Sequence, residues 1–179
     1  SLVRRELRDE VALIGFAGGP FTLASYAIEG GSSRDFRRAK QLMYEQPETW
    51  ALLMDILAEM TADYLRAQVR AGAQCVQLFD SWAGALSPRD YRQYVLPATQ
   101  RIVAGVAAEG TPVIVFGTGT AGILDALTDA GSQVVGVDWR IPLDSAWSII
   151  GHDRALQGNL DPLVLFAPLP VVREHVADI

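Results

Sequence analysis

Residues 47–80 read PETWALLMDILAEMTADYLRAQVRAGAQCVQLFD, and this stretch decides the class of fold. Its first part is a helix by every local signal. Pro47 stands in the first turn, Glu48 follows it, and Leu52, Leu53, Ile56, Leu57, Met60, Tyr64 and Leu65 recur at helical spacing. Gly72 ends the pattern. Cys75 to Phe79 then form a short apolar run without helical spacing, which reads as a strand. A long helix leading straight into an apolar strand is the repeating half of an α/β fold.

The same alternation extends outward on both sides. Strand-like runs recur at 11–16 (VALIGF), 112–116 (PVIVF), 133–138 (QVVGVD) and, more weakly, 154–159 (RALQGN). All are near-continuously apolar, which predicts strands buried on both faces, as in a parallel sheet covered by helices. Between them, Ser87-Pro88 opens a helix that runs to Gly110, with Pro97 set to break it. Shorter helices are predicted at 120–130 and 142–150. The segment 17–46 is rich in Gly, Ser and Arg and reads as a long loop after the first strand, where function tends to reside. This order of elements fits an open doubly wound sheet or part of a (β/α)8 barrel.

Composition narrows the functional classes. The chain has 179 residues, 50% of them hydrophobic, and a mean hydropathy of +0.17, yet its longest apolar runs are strand-sized. A membrane span needs about 20 apolar residues, so none is expected. The opening SLVRRELRDE has no apolar core and does not read as a secretory signal. One cysteine, Cys75, cannot staple a fold and is expected as a small core residue, compatible with a reducing compartment. The net charge of −6 and pI near 4.8 disfavour nucleic-acid binding. His152 and His175 stand far apart with no metal-ligand spacing. The basic cluster Arg34, Arg37, Arg38 and Lys40 reads as a solvated helix face.

Two patterns carry chemistry. Gly117 to Gly122 match G-x-G-x-x-G after a strand, with Asp138 ending the next strand, as in a dinucleotide site. The bulky Trp139-Arg140-Ile141-Pro142 after that acid crowds the place a ribose would take. Polar residues also recur where strands end: Gly18-Gly19, Asp80-Ser81, Gly117-Thr118, Asp138 and Asn159 to Asp161. In a barrel these would converge on one mouth. Ser81 lacks the G-x-S-x-G surroundings of a hydrolase nucleophile.

Five segments, in order, resemble signatures of one family. They are GFAGGPFTLASYAIEGGSS (15–33), QLFDSWAGALSP (77–88), FGTGT (116–120), VVGVDWRIPL (134–143) and QGNLDP (157–162). Together they resemble uroporphyrinogen decarboxylase. The resemblance implies a (β/α)8 TIM barrel, here one truncated segment over 1–179 with about five consecutive βα units, the family's strands 3 to 7. It also implies a cytoplasmic homodimer that converts the four acetate side chains of uroporphyrinogen to methyl groups. No metal, flavin, pyridoxal or thiamine is implied. A pyrrole protonated at carbon serves as its own electron sink, leaving the protein to orient, donate protons and stabilise charge.

By the same resemblance Tyr26 is the pocket tyrosine, with both a catalytic and a substrate-binding role. Ser81 donates to a substrate carboxylate, and Phe16 and Phe79 pack against the macrocycle. The family's RQAGRY-type arginine segment, its pyrrole-facing aspartate and its GHG-type histidine turn are not found among the 179 residues. The chain by itself is therefore expected to be inactive and prone to self-association through an uncovered apolar face. A related barrel methyltransferase of corrinoid or thiol type and a nucleotide-binding module using Gly117 to Gly122 are the alternatives.

Overall fold

The chain alternates strands and helices along its whole length. The computed structural model describes residues 2–31 and 33–179. The strands are β1 (Ile14–Gly18), β2 (Cys75–Phe79), β3 (Val113–Phe116), β4 (Val134–Gly136) and β5 (Ala155–Gln157). All pair in parallel, in the order β1-β2-β3-β4-β5, with Ile14 opposite Cys75, Val76 opposite Val113, Ile114 opposite Val134 and Val134 opposite Ala155. A parallel sheet laid down in sequence order, never reversing, is an arc of a (β/α)8 barrel rather than a doubly wound sheet, whose strand order reverses at a switch point.

The helices are α1 (Leu2–Glu6), α2 (Pro20–Glu29), α3 (Arg37–Glu45), α4 (Pro47–Arg70), α5 (Pro88–Tyr94), α6 (Leu96–Ala107), α7 (Leu124–Thr128), α8 (Leu143–Ile150) and α9 (Leu169–Asp178). Local chemistry sets several of their ends. Ser87 caps α5 by accepting from the Asp90 N–H at 3.1 Å. Pro97 divides the predicted 87–110 helix as expected, and Val95 (φ −127°, ψ −45°) forms the joint between α5 and α6.

Four expectations are corrected. The segment 17–46 is not a long loop: it holds α2 and α3, joined by a short connection that includes Ser32, which lies outside the described residues. The first strand starts at Ile14 rather than Val11. Burial on both faces holds for β3, where Val113, Ile114 and Val115 are buried in succession, but not for β1 and β2. In β1, Gly15 and Ala17 are buried while Ile14 and Phe16 are exposed, and β2 alternates in the same way. Helices cover one face, and the other carries Ile14, Phe16, Phe79 and Phe116. Cys75 lies on that less covered face, half-buried, rather than in the core, and burial raises its thiol pKa.

The core fills the space between the covered face and the helices. Trp50, Met43, Leu65, Phe21, Leu78 and Ile102 are its largest fully buried apolar side chains. The Trp50 indole N–H donates to the Tyr94 carbonyl at 2.8 Å, so its burial leaves no unpaired donor. The long helix α4 packs on α6 and β1 through Trp50, Met54, Leu57, Ala58, Ala62 and Leu65. Half of its apolar pattern points elsewhere: Leu52, Ile56, Met60 and Tyr64, each four residues from the next, are 51–64% exposed. They form one outward stripe, which the helical period alone could not separate from the core-facing residues.

β1 lies at the border of the sheet. The residues that flank it, Leu13 and Gly19, bond toward β2, through the Leu13 carbonyl and the Gly19 N–H. By alternation Phe16 turns its peptide groups to the open side. There the Gln68 side chain of α4 accepts from the Phe16 N–H at 2.8 Å and donates to the Phe16 carbonyl at 2.9 Å.

Candidate active site at the carboxyl ends of the strands

The polar residues singled out at the strand ends meet at one edge of the sheet. β1 ends at Gly18, and Gly19-Pro20 turn the chain into α2. Gly19 offers no side chain to cap that helix. The cap comes from the end of β2, where the Asp80 carboxylate accepts from the N–H groups of Phe21 (3.3 Å) and Thr22 (2.8 Å) and from the Thr22 hydroxyl (2.7 Å). Any side chain at Gly19 would place its Cβ 2.5 Å from the Asp80 Cβ, so glycine is required for this approach.

Asp80 is 1% exposed. Burial pushes its pKa up, and the hydrogen bonds from Thr22 and Phe21 pull against that shift. Tyr91, fully buried nearby, is pushed up by its own burial and by the charge of Asp80, with Thr99 offsetting part of the effect.

The four residues expected at the site fall into two adjoining groups. Tyr26, on α2, is 54% exposed, and its ring lies 4.3 Å from that of Trp82, the residue after Ser81. Ser81 is half-buried, and its carbonyl accepts from the Thr118 hydroxyl. Phe36 backs this group, with its ring 5.0 Å from Trp82 and 5.7 Å from Phe21. It is the non-glycine residue with positive φ (55°) among the described residues, a conformation held by this packing and by its N–H bond to Ser33 Oγ.

Phe16 and Phe79 form the second group, edge to face at 5.8 Å, with Phe16 62% exposed. Phe116 continues the row, 5.8 Å from Phe79. Phe116 was not singled out in the sequence. Its position ending β3 in register with Phe79 was the available signal.

The glycine-rich motif is used internally. Asp138 accepts from the Gly119 N–H at 2.6 Å, from the Arg140 N–H at 3.0 Å and from the Arg140 guanidinium, which also lies 4.1 Å over the Trp139 ring. The acid that a dinucleotide reading would give to a ribose thus holds its own turn. Gly84 packs so closely under that turn that a Cβ there would collide with the Thr118 and Gly119 carbonyl oxygens. Beyond β4 and β5, a groove of about 720 Å³ is lined by Trp139, Arg140, Asp144, Asn159, Asp161 and His175, among others. His152 and His175 are both exposed, and His175 lies on α9. Among the described residues no group of three or more His, Cys, Asp or Glu side chains could hold a metal ion, and no helix is long and apolar enough to cross a membrane.

The family model described as Uroporphyrinogen decarboxylase (URO-D) matches residues 1–179. A uroporphyrinogen decarboxylase of Sorangium cellulosum is 57% identical over 174 residues, covering 97% of this chain and 50% of its own length. That of Carboxydothermus hydrogenoformans is 51% identical over 178 residues, covering 99% of this chain and 51% of its own length. The chain thus spans about half the length of the curated relatives it matches. Among solved structures, a methyltransferase from Methanosarcina mazei superposes with a TM-score of 0.87 over 99% of this chain and 52% of its own. At 22% identity that likeness is one of fold. With sequence identity above one half to the decarboxylases and a match along its whole length, the chain belongs to the uroporphyrinogen decarboxylase family.

Proposed function

We propose that this chain forms one wall of the cup in which uroporphyrinogen is decarboxylated to coproporphyrinogen, in a cytoplasmic enzyme that acts as a homodimer. One observation carries the reading. Tyr26 stands against the Ser81-Trp82 loop, and an aromatic row lies on the adjoining strands, running from the exposed Phe16 to the half-buried Phe79 and Phe116. Each half of that arrangement matches half of the substrate. The row offers ring edges and faces to a macrocycle, and the Tyr26 and Ser81 hydroxyls offer donors to its carboxylates.

Loss of carbon dioxide from an acetate side chain leaves an electron pair on the methylene carbon. The pyrrole, protonated beforehand at ring carbon, accepts that pair; a proton delivered to the methylene then completes the methyl group, and the ring carbon gives its proton back to restore the aromatic pyrrole. In this scheme Tyr26 orients the departing carboxylate and Ser81 anchors a neighbouring one. Both act through their hydroxyls as hydrogen-bond donors. The 179 residues contain neither an RQAGRY-type nor a GHG-type segment, so we expect binding without turnover from this chain by itself.

Uroporphyrin, the oxidised and air-stable macrocycle, serves as the test ligand, with tryptophan fluorescence as the readout. Saturable quenching is expected, and Tyr26→Phe should weaken binding by about tenfold, the value of a hydrogen bond to a charged group. Quenching by NAD or NADP, with none by uroporphyrin, would replace this reading with the nucleotide-binding one.

A further inference from the structure

Asp80 is a buried carboxylate for which decarboxylation by the residues above has no use. Among the described residues no ion pair neutralises it; its charge is met by the first-turn N–H groups of α2 and by the Thr22 hydroxyl. The same hydroxyl accepts from the Trp82 N–H at 3.2 Å. Thr22 therefore links both flanks of Ser81: Asp80 on one side, Trp82 on the other. Tyr26 lies four residues along α2 from Thr22, on the same face of the helix. Its ring meets that of Trp82. One face of α2 is thus fastened at two heights to Asp80 and Trp82, the two residues that flank Ser81.

We propose that Asp80 is a positioning residue: through Thr22 it fixes the rotation and depth of α2, and so sets Tyr26 against the Ser81-Trp82 loop. The proposal rests on the reading of Tyr26 and Ser81 given above. The choice of side chain follows from the donor count. Two carboxylate oxygens accept three donors, whereas an asparagine offers a single accepting oxygen and turns an N–H₂ toward a donor. The carboxylate also sits at the positive end of α2, where a negative charge is favoured. The tie links residues 58 apart in the chain, so it joins two separate βα units instead of tightening one turn.

The test compares the parent chain with Asp80→Asn, Thr22→Val and Thr22→Ser, using two readouts. The first is the near-UV circular dichroism of Trp82, isolated by subtracting the spectrum of Trp82→Phe; it needs no ligand. The second is uroporphyrin affinity. Asp80→Asn and Thr22→Val should lose the Trp82 signal and weaken uroporphyrin binding on the order of tenfold, while far-UV dichroism stays the same. Thr22→Ser, which keeps the bridging hydroxyl, should restore both. Unchanged Trp82 signal and affinity in folded Asp80→Asn and Thr22→Val would overturn the proposal. So would a Thr22→Ser protein that behaves like Thr22→Val. Should Asp80→Asn not fold, the Thr22 pair decides. A parent chain that binds no uroporphyrin would sink the reading of the site, while the Trp82 signal would still decide the role of Asp80.

Discussion

Replacing Asp138 by asparagine separates a structural acid from a ligand-binding one. In the fold Asp138 accepts from two backbone N–H groups, those of Gly119 and Arg140, and from the Arg140 guanidinium. It is 5% exposed, so water cannot replace a lost partner. An asparagine accepts through one oxygen, and whichever way its amide turns, its N–H₂ faces a donor. A hydrogen bond to a charged group contributes about 1.5–3 kcal/mol, and a buried donor left unsatisfied costs about 1–3 kcal/mol. Losing one such bond and stranding its donor therefore costs about 1–3 kcal/mol, the lower values applying where the half-exposed Arg140 side chain turns to solvent. Urea unfolding followed by far-UV circular dichroism measures it: the midpoint should fall with the slope unchanged. Asp138→Ala should lose at least as much. If both variants unfold at the parent's midpoint, Asp138 does not hold the 117–119 turn, and its assignment as an internal brace fails.

Two further predictions follow from the core and the surface. The raised pKa of Tyr91 has a definite sign: above the unfolded value near 10 the unfolded chain releases a proton that the folded chain retains, so stability falls as pH rises. Urea midpoints taken between pH 8 and 11 should fall more steeply for the parent than for Tyr91→Phe, and parallel curves would refute this. On α4, the stripe of Leu52, Ile56, Met60 and Tyr64 is a little over half exposed at each position. Burying what remains in a contact between copies would contribute about 1–2 kcal/mol per residue. Leu52→Glu, Ile56→Lys, Met60→Glu and Tyr64→Lys combined should therefore abolish self-association in sedimentation velocity while keeping the helix, whose new charges pair four residues apart. Unaltered sedimentation would place the sticky surface elsewhere.

Legibility in the sequence followed the range of the interactions involved. β2 and β3 were visible because a run of apolar residues marks a buried strand wherever it lies, and the α5–α6 break was visible because Pro97 acts on its own turn. Helix α2 was hidden: its first turn is capped by Asp80, remote in sequence, and the Gly and Ser residues that flank it at 18–19 and 30–33 imitate a loop. Helix α3 was hidden too, because RRAKQLMYE buries only Ala39 and Met43. The one-sided burial of β1 could not be read from its residues, since apolar side chains on an uncovered face look, in sequence, like those of a core. The glycine-rich turn at 117–122 illustrates the same point. Its local pattern fits two folds, and only the contact of Gly119 with Asp138 distinguishes them.

The carboxamide of Gln68 across the Phe16 peptide has a consequence for the fate of the sheet's border. A bare rim of amide and carbonyl groups invites a second copy to lengthen the sheet, and then a third. Here the middle rung is already taken by the chain's own helix. Any strand that comes to pair here, from the same protein or from another copy, must first displace that side chain, so access to this flank of β1 is set by one residue on a neighbouring helix and not by the strand's own composition.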